Sequence, residues 1–239
     1  MAVSAAERRY LLDQVDKLAR ADLNNLWSVA EQLETGAFFD YILSGFPELA
    51  SNYHQVAATV AATWFEQSDP QSAFIARPAD PVDEARIVGS TRWALGGDGV
   101  VGRDRLEGVL QRAVFDGARD TVIVNAEASG STWIRVARPD ACAFCRLLAT
   151  RTDYTSREAA TTVVSARKRT GRRLGDKYHD HCYCQPVELR ADQTVADVLG
   201  RDGANQVDQW NDEYLKARAN AGVGDAKQIL AAWRQQGAD

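Results

Sequence analysis

Four cysteines and three histidines are all the chain contains among its 239 residues. All four cysteines and two of the histidines fall between Cys142 and Cys184. The first pair is spaced "CAFC", Cys142 and Cys145, and the rest stand in "YHDHCYCQP": His179, His181, Cys182 and Cys184. Thiolates and imidazoles converging in fours are the donor set of zinc, and a C-x2-C turn is a common first half of such a site. The competing explanations are two disulfides or thiols that merely pack. Nothing in the charged N-terminal stretch "MAVSAAERRYLLDQVDKLAR" reads as a signal peptide, so a reducing cytoplasm is expected, where disulfides are rare.

Six donors compete for about four places. Sulfurs bound at about 2.3 Å from zinc lie roughly 3.8 Å apart. Residues two apart in a regular strand share a face but are about 6.6 Å apart. Cys182 and Cys184 therefore bind together only if the backbone bends sharply between them. Otherwise His179 folds back into the set and one cysteine is left outside. The expected ligands are Cys142, Cys145, His179 and at least one of Cys182 and Cys184, with His181 the weaker histidine. The ion would be a structural Zn2+.

Catalysis is not expected from these residues. A serine triad requires a histidine base. The two clustered histidines belong to the metal or its surroundings, and His54 reads as a structural residue on a helix. No HExxH occurs, and cysteine-rich ligation fits a closed structural site better than an open catalytic one. A basic loop precedes the second cysteine pair. Arg167, Lys168, Arg169, Arg172 and Arg173 could neutralise phosphates irrespective of base sequence, or form a solvated loop. "SREAATTVVSARKRTG" makes a poor recognition helix, which argues against a sequence-reading zinc finger.

The elements that must carry this cluster read as mainly α. With 45% hydrophobic and 26% charged residues, the composition is that of a globular chain, and the net charge of −5 does not suit a dedicated DNA-coating protein. No stretch approaches 18 apolar residues, so no membrane span is expected. Ser4 and Glu7 have capping-box spacing. Leu12, Val15, Ala19, Leu23, Leu26, Ala30 and Leu33 follow as one stripe, closing near Gly36. Pro47 reads as the start of the next helix, with Leu49, Tyr53, Val56, Val60 and Trp64 on one face.

Residues 1–67 are thus an N-terminal helical region. Residues 68–82 hold proline after proline and read as an extended linker. Central helices occupy 83–130; the longest places Leu106, Leu110, Ala113, Val114 and Gly117 near one face, where the small residues allow a close helix approach. A "GGDGVVG" turn precedes it without the lysine and hydroxyl of a phosphate loop. Residues 131–190 form a zinc-stapled α+β module: "STWIRVARPD" alternates as a strand and "HCYCQPVELR" returns as another. Residues 191–239 are helical again, marked by Val207, Trp210, Tyr214 and Leu215, then by Ile229, Leu230 and Trp233. These aromatic residues serve either as interface anchors or as internal packing.

Three stretches, "RLEGVLQRAVFDGARDTV", "RVARPDACAFCRLLATR" and "KYHDHCYCQPVEL", resemble MuF-like (head morphogenesis) minor capsid proteins of tailed phages, particularly those infecting actinobacteria. The family's HxxCxC box is matched by His179, Cys182 and Cys184, and many members carry the preceding CxxC. The resemblance covers roughly residues 103 to 189. It implies a virion protein assembled in the bacterial host cytoplasm and lying inside the head near the portal vertex, in few copies per particle. The portal protein and major capsid protein are the implied partners, with packaged double-stranded DNA as a further contact through the basic loop. Some relatives are labelled capsid maturation proteases, which is the alternative reading. A nucleic-acid-binding zinc module without a phage role is a second alternative.

Overall fold

The computed structural model of the chain describes residues 4–151, 154, 182–222 and 226–237. Among them are seven helices and a two-stranded sheet, so the mainly α expectation holds. The described residues fall into two compact units. One runs to Asn125 and includes Cys182; the other comprises the remainder from Ala126.

The first unit begins with α1, Ala5–Ala30. Ser4 caps it as its spacing requires: the Ser4 hydroxyl accepts from the Glu7 amide at 3.2 Å, and the Glu7 carboxylate accepts from the Ser4 amide at 2.8 Å. The buried stripe is Arg8, Leu12, Asp16, Ala19, Leu23, Trp27 and Ala30. This departs from the sequence expectation. Asp16 and Trp27 lie on the face in place of Val15 and Leu26, and Leu33 lies beyond the helix, 40% exposed. Both stripes advance in steps of three and four, so the period alone does not choose between them, and packing selects the phase.

Gly36 does not close α1. It lies in the first turn of α2, Thr35–Ser68. Nor does Pro47 start a helix. It stands inside α2, where it removes one amide donor. The helix continues through it because Ile42 and Phe46 before the proline and Ala50, His54, Ala57 and Ala61 after it form one buried line. Of the face expected from sequence only Trp64 is buried; Leu49, Tyr53 and Val60 are half-buried and Val56 is 47% exposed.

Helix α3, Glu84–Leu95, is capped by the Asp83 carboxylate, which accepts from the Ala85 amide at 3.0 Å. The central helix α4 spans Gly99–Ser129 and gives way at Gly130, whose φ of 75° suits a residue without a Cβ. Every residue from Ala113 to Arg119 is buried, as expected of a helix in a core rather than on a surface. A Cβ added at Gly117 would sit 2.1 Å from the His54 carbonyl oxygen. The close helix approach anticipated at Ala113 and Gly117 is therefore real, and its partner is α2.

The proline-rich stretch is extended, and it is pinned along its length. The Ala76 amide donates to Glu66 Oε1 at 3.0 Å, the Arg77 amide to Asn125 Oδ1 at 2.9 Å, and the Ala79 amide to Thr121 Oγ1 at 2.9 Å. Asn125 Nδ2 returns a bond to the Arg77 carbonyl at 2.7 Å. His54 completes the arrangement. Its Nε2 lies 3.0 Å from the Asp80 carbonyl and its Nδ1 3.0 Å from that of Ala113. Side chains from α2 and α4 thus satisfy a backbone that has no strand beside it. His54 is structural, as its position suggested.

In the second unit, β1 (Thr132–Val136) and β2 (Gln185–Leu189) pair antiparallel, from Thr132↔Leu189 to Val136↔Gln185. Tyr154 bridges the free side of β1: its amide and carbonyl each meet the main chain of Trp133 at 2.9 Å, and its hydroxyl donates to the Leu148 carbonyl. Helix α5 (Ala143–Ala149) follows β1. Helix α6 (Val195–Ala221) starts in a Thr194–Asp197 capping box and breaks at Gly200, φ 73°. Helix α7 is Ala226–Gln235. Trp210 and Trp233 are 3% and 0% exposed, so they are core residues of this unit and not surface anchors, while Leu215 is 49% exposed.

Candidate metal centre

The antiparallel register explains how distant cysteines meet. Val136 and Gln185 are the last pair at one end of the ribbon. The chain leaving β1 and the chain entering β2 therefore pass the same end, and α5 starts there. Cys145 lies in the first turn of α5, while Cys182 and Cys184 immediately precede β2. Their three sulfurs lie within 4.8 Å of one another, and all three residues are buried. None of the four cysteines is in a disulfide.

Both Cys182 and Cys184 reach the cluster, as the first of the two geometries left open by the sequence requires. Residues 182–184 are not strand, so the pair is free of the spacing that a regular strand imposes. The expected strand from residue 181 begins at Gln185 instead. Sulfurs bound to one zinc lie roughly 3.8 Å apart, a separation inside this limit. Three buried thiols are a soft donor set, suited to zinc and other thiophilic ions rather than to magnesium or calcium. Cys142 is not a member of this group. It is the N-cap residue of α5, in extended backbone conformation and half-buried. His179 and His181 lie outside the described residues, as do Arg167, Lys168, Arg169, Arg172 and Arg173.

Helix α5, which carries Cys145, is fixed from the opposite side. Ala143, Leu147 and Leu148 are buried. Arg146 Nη1 lies 4.0 Å from Glu213 Oε2 of α6, and the same oxygen accepts from the Trp233 indole of α7 at 3.2 Å. Near Cys184, the Arg138 guanidinium sits 3.8 Å over the Tyr183 ring.

Cys182 has partners that sequence reading did not anticipate. Its carbonyl accepts from Gln111 Nε2 at 3.3 Å and from Arg119 Nη2, both on α4. Gln111 and Arg119 are each fully buried. Arg119 Nη1 also donates to Asp116 Oδ1 at 3.0 Å. In sequence, "LQRAVFDGARD" shows these polar residues merely as interruptions of an apolar stripe, indistinguishable from surface positions.

Fold and cluster together define a mainly α protein whose small two-stranded module holds a set of thiols able to bind a metal ion. Among the described residues, no helix is long and apolar enough to cross a membrane. The family model described as VG15 protein matches residues 2–217, and the chain belongs to that family, which is viral. No curated protein and no solved structure matches the chain.

Proposed function

We propose that this viral protein is a minor capsid component of a tailed phage, of the MuF-like type, held in shape by a structural zinc ion. The observation that carries the reading is the convergence of Cys145, Cys182 and Cys184, buried and within 4.8 Å of one another, in a chain of a viral family. Zinc is the thiophilic ion that such a set favours in a reducing cytoplasm, where it crosslinks a small core without redox chemistry. The fourth donor comes from Cys142 or from the histidine box, His179 first. The residue types of "HDHCYC" and "CAFC" support the head-protein assignment, as does the resemblance of residues 103 to 189 to that family. The protein would lie inside the head near the portal vertex, in few copies, against the portal and major capsid proteins. Arg167, Lys168, Arg169, Arg172 and Arg173 would meet packaged DNA.

A structural rather than proteolytic role is part of the proposal. Both ring nitrogens of His54 face main-chain carbonyls, so this histidine is not available as a base for a serine or threonine. Metal analysis of the purified chain tests the first half and is expected to find about one zinc per chain. Finding no zinc and paired disulfides would refute it. Co-expression with the portal protein tests the second half. Co-purification in fixed ratio is expected, and failure to associate with portal or capsid under assembly conditions removes the head-protein assignment.

A further inference from the structure

We infer that Gln111 and Arg119 of α4 are positioning residues for the metal centre, acting through the main-chain carbonyl of Cys182. The inference rests on the metal reading proposed above. Cys182 precedes β2 and lies outside its ladder. Both acceptor directions of the Cys182 carbonyl oxygen are used by one helix: Gln111 Nε2 donates at 3.3 Å and Arg119 Nη2 donates beside it. The two donors are about two helical turns apart on a single rigid element. A grip by two donors fixes where the oxygen lies and also how the following peptide plane is turned. That plane sets the direction of the Cys182 side chain and the path of the two residues leading to Cys184.

The cost of the arrangement shows that the position demands it. Arg119 is completely buried, and a buried guanidinium is expensive unless every donor it presents finds an acceptor. Here Nη1 donates to Asp116 at 3.0 Å, Asp116 also faces Arg86 at 3.5 Å, and the guanidinium stacks 5.3 Å above the Phe115 ring. An apolar residue would fill the space without a desolvation penalty, but it would leave the carbonyl of a candidate ligand without its charged donor. Outer residues that orient metal ligands through hydrogen bonds are a general feature of metal centres.

Cobalt(II) titration of the full chain separates this role from ordinary packing. Cobalt takes tetrahedral thiolate sites, and its sulfur-to-metal charge-transfer intensity reports how many thiolates are bound. Gln111→Ala and Arg119→Met are each expected to weaken cobalt binding on the order of 10- to 100-fold. Charge-transfer intensity per bound cobalt should fall as Cys182 leaves the set, and Arg119→Lys should restore part of it. If both variants keep wild-type affinity and intensity while their thermal midpoints fall, the two residues serve only the packing of α4 and the inference is wrong. Should Arg119→Met fail to fold, Gln111→Ala decides alone, because it leaves the Arg119–Asp116 pair intact. A wild-type chain that binds neither cobalt nor zinc overturns the metal reading itself, and the inference with it.

Discussion

The two units are held together by different means. The unit ending at Asn125 consists of long helices. Its stripes on α1 and α2 run the length of those helices, and α4 is buried all round at its middle. Its polar contacts, from Arg20 to Glu107 and from Asn125 to Arg77, are spread over many residues. The other unit sets five-residue strands and a seven-residue helix beside the long α6 and the shorter α7. A two-stranded ribbon is marginal in water by itself. The order of its ribbon and short helices rests on a few points: Trp133 against Tyr154, Trp233 against Glu213, and the cysteines Cys145 and Cys184 that belong to it. Long helices can distribute their stabilisation along a repeating pattern, whereas short elements concentrate it in a few contacts.

The sharpest way to break this comparison is to disable the cysteine cluster. Cys184→Ser, or removal of the metal with a chelator, is expected to unfold the ribbon module, because ligation supplies folding free energy directly. Near-ultraviolet dichroism of Trp133 should be lost while most far-ultraviolet helical signal remains. Loss of both signals together would show that the helical unit depends on the metal too.

Next comes the aromatic core of the second unit. Trp233→Ala should cost about 3–5 kcal/mol in denaturant unfolding, as expected for a large buried ring. A cost under about 1 kcal/mol would instead fit the exposed surface anchor considered from sequence.

In the helical unit the largest single-site effect is expected where helices meet most closely. Gly117→Ala places a carbon 2.1 Å from the His54 carbonyl, and backbone must move. Overpacking of this kind costs roughly 1–3 kcal/mol, occasionally more. Thermal unfolding should show a lowered midpoint without loss of metal. Asn125→Ala removes the side chain that bonds both the amide and the carbonyl of Arg77, and should cost about 1–3 kcal/mol. Faster proteolysis within residues 72–83 would locate the effect.

The smallest effect is electrostatic. Burial pushes the Asp16 carboxyl above its ordinary range, against the hydrogen bond and charge of Arg20. The native state then holds the proton more tightly than the unfolded chain, so this group's contribution is complete below the unfolded carboxylate range and declines as pH rises through the folded value. Asp16→Asn cannot ionise. Measured by urea unfolding, wild type should therefore compare more favourably with the variant near pH 4 than near pH 7. The opposite trend would show that the Arg20 pairing outweighs the burial.

Local rules read along the chain give the helical class, the Ser4 cap, the close of the central helices near residue 130, the tight approach at Gly117 and the gathering of the cysteines, but not the start of α4, which begins at Gly99 inside the glycine-rich stretch read as a turn. The rules are helical period, capping chemistry, glycine's missing Cβ and the spacing of ligand pairs. Tertiary structure alone decided which residues face inward. It carried α2 through Pro47, turned Val56 outward and His54 inward, and placed Asp16 and Trp27 on the core face of α1. It also drew Cys182 and Cys184 together with Cys145, and set two buried side chains of α4 on the Cys182 carbonyl. A sequence specifies the period of an element, but the phase of a stripe and the course of a non-strand segment depend on neighbours remote along the chain. The carbonyl of Cys182 could find its donors only after α4, 71 and 63 positions earlier, had been laid beside it.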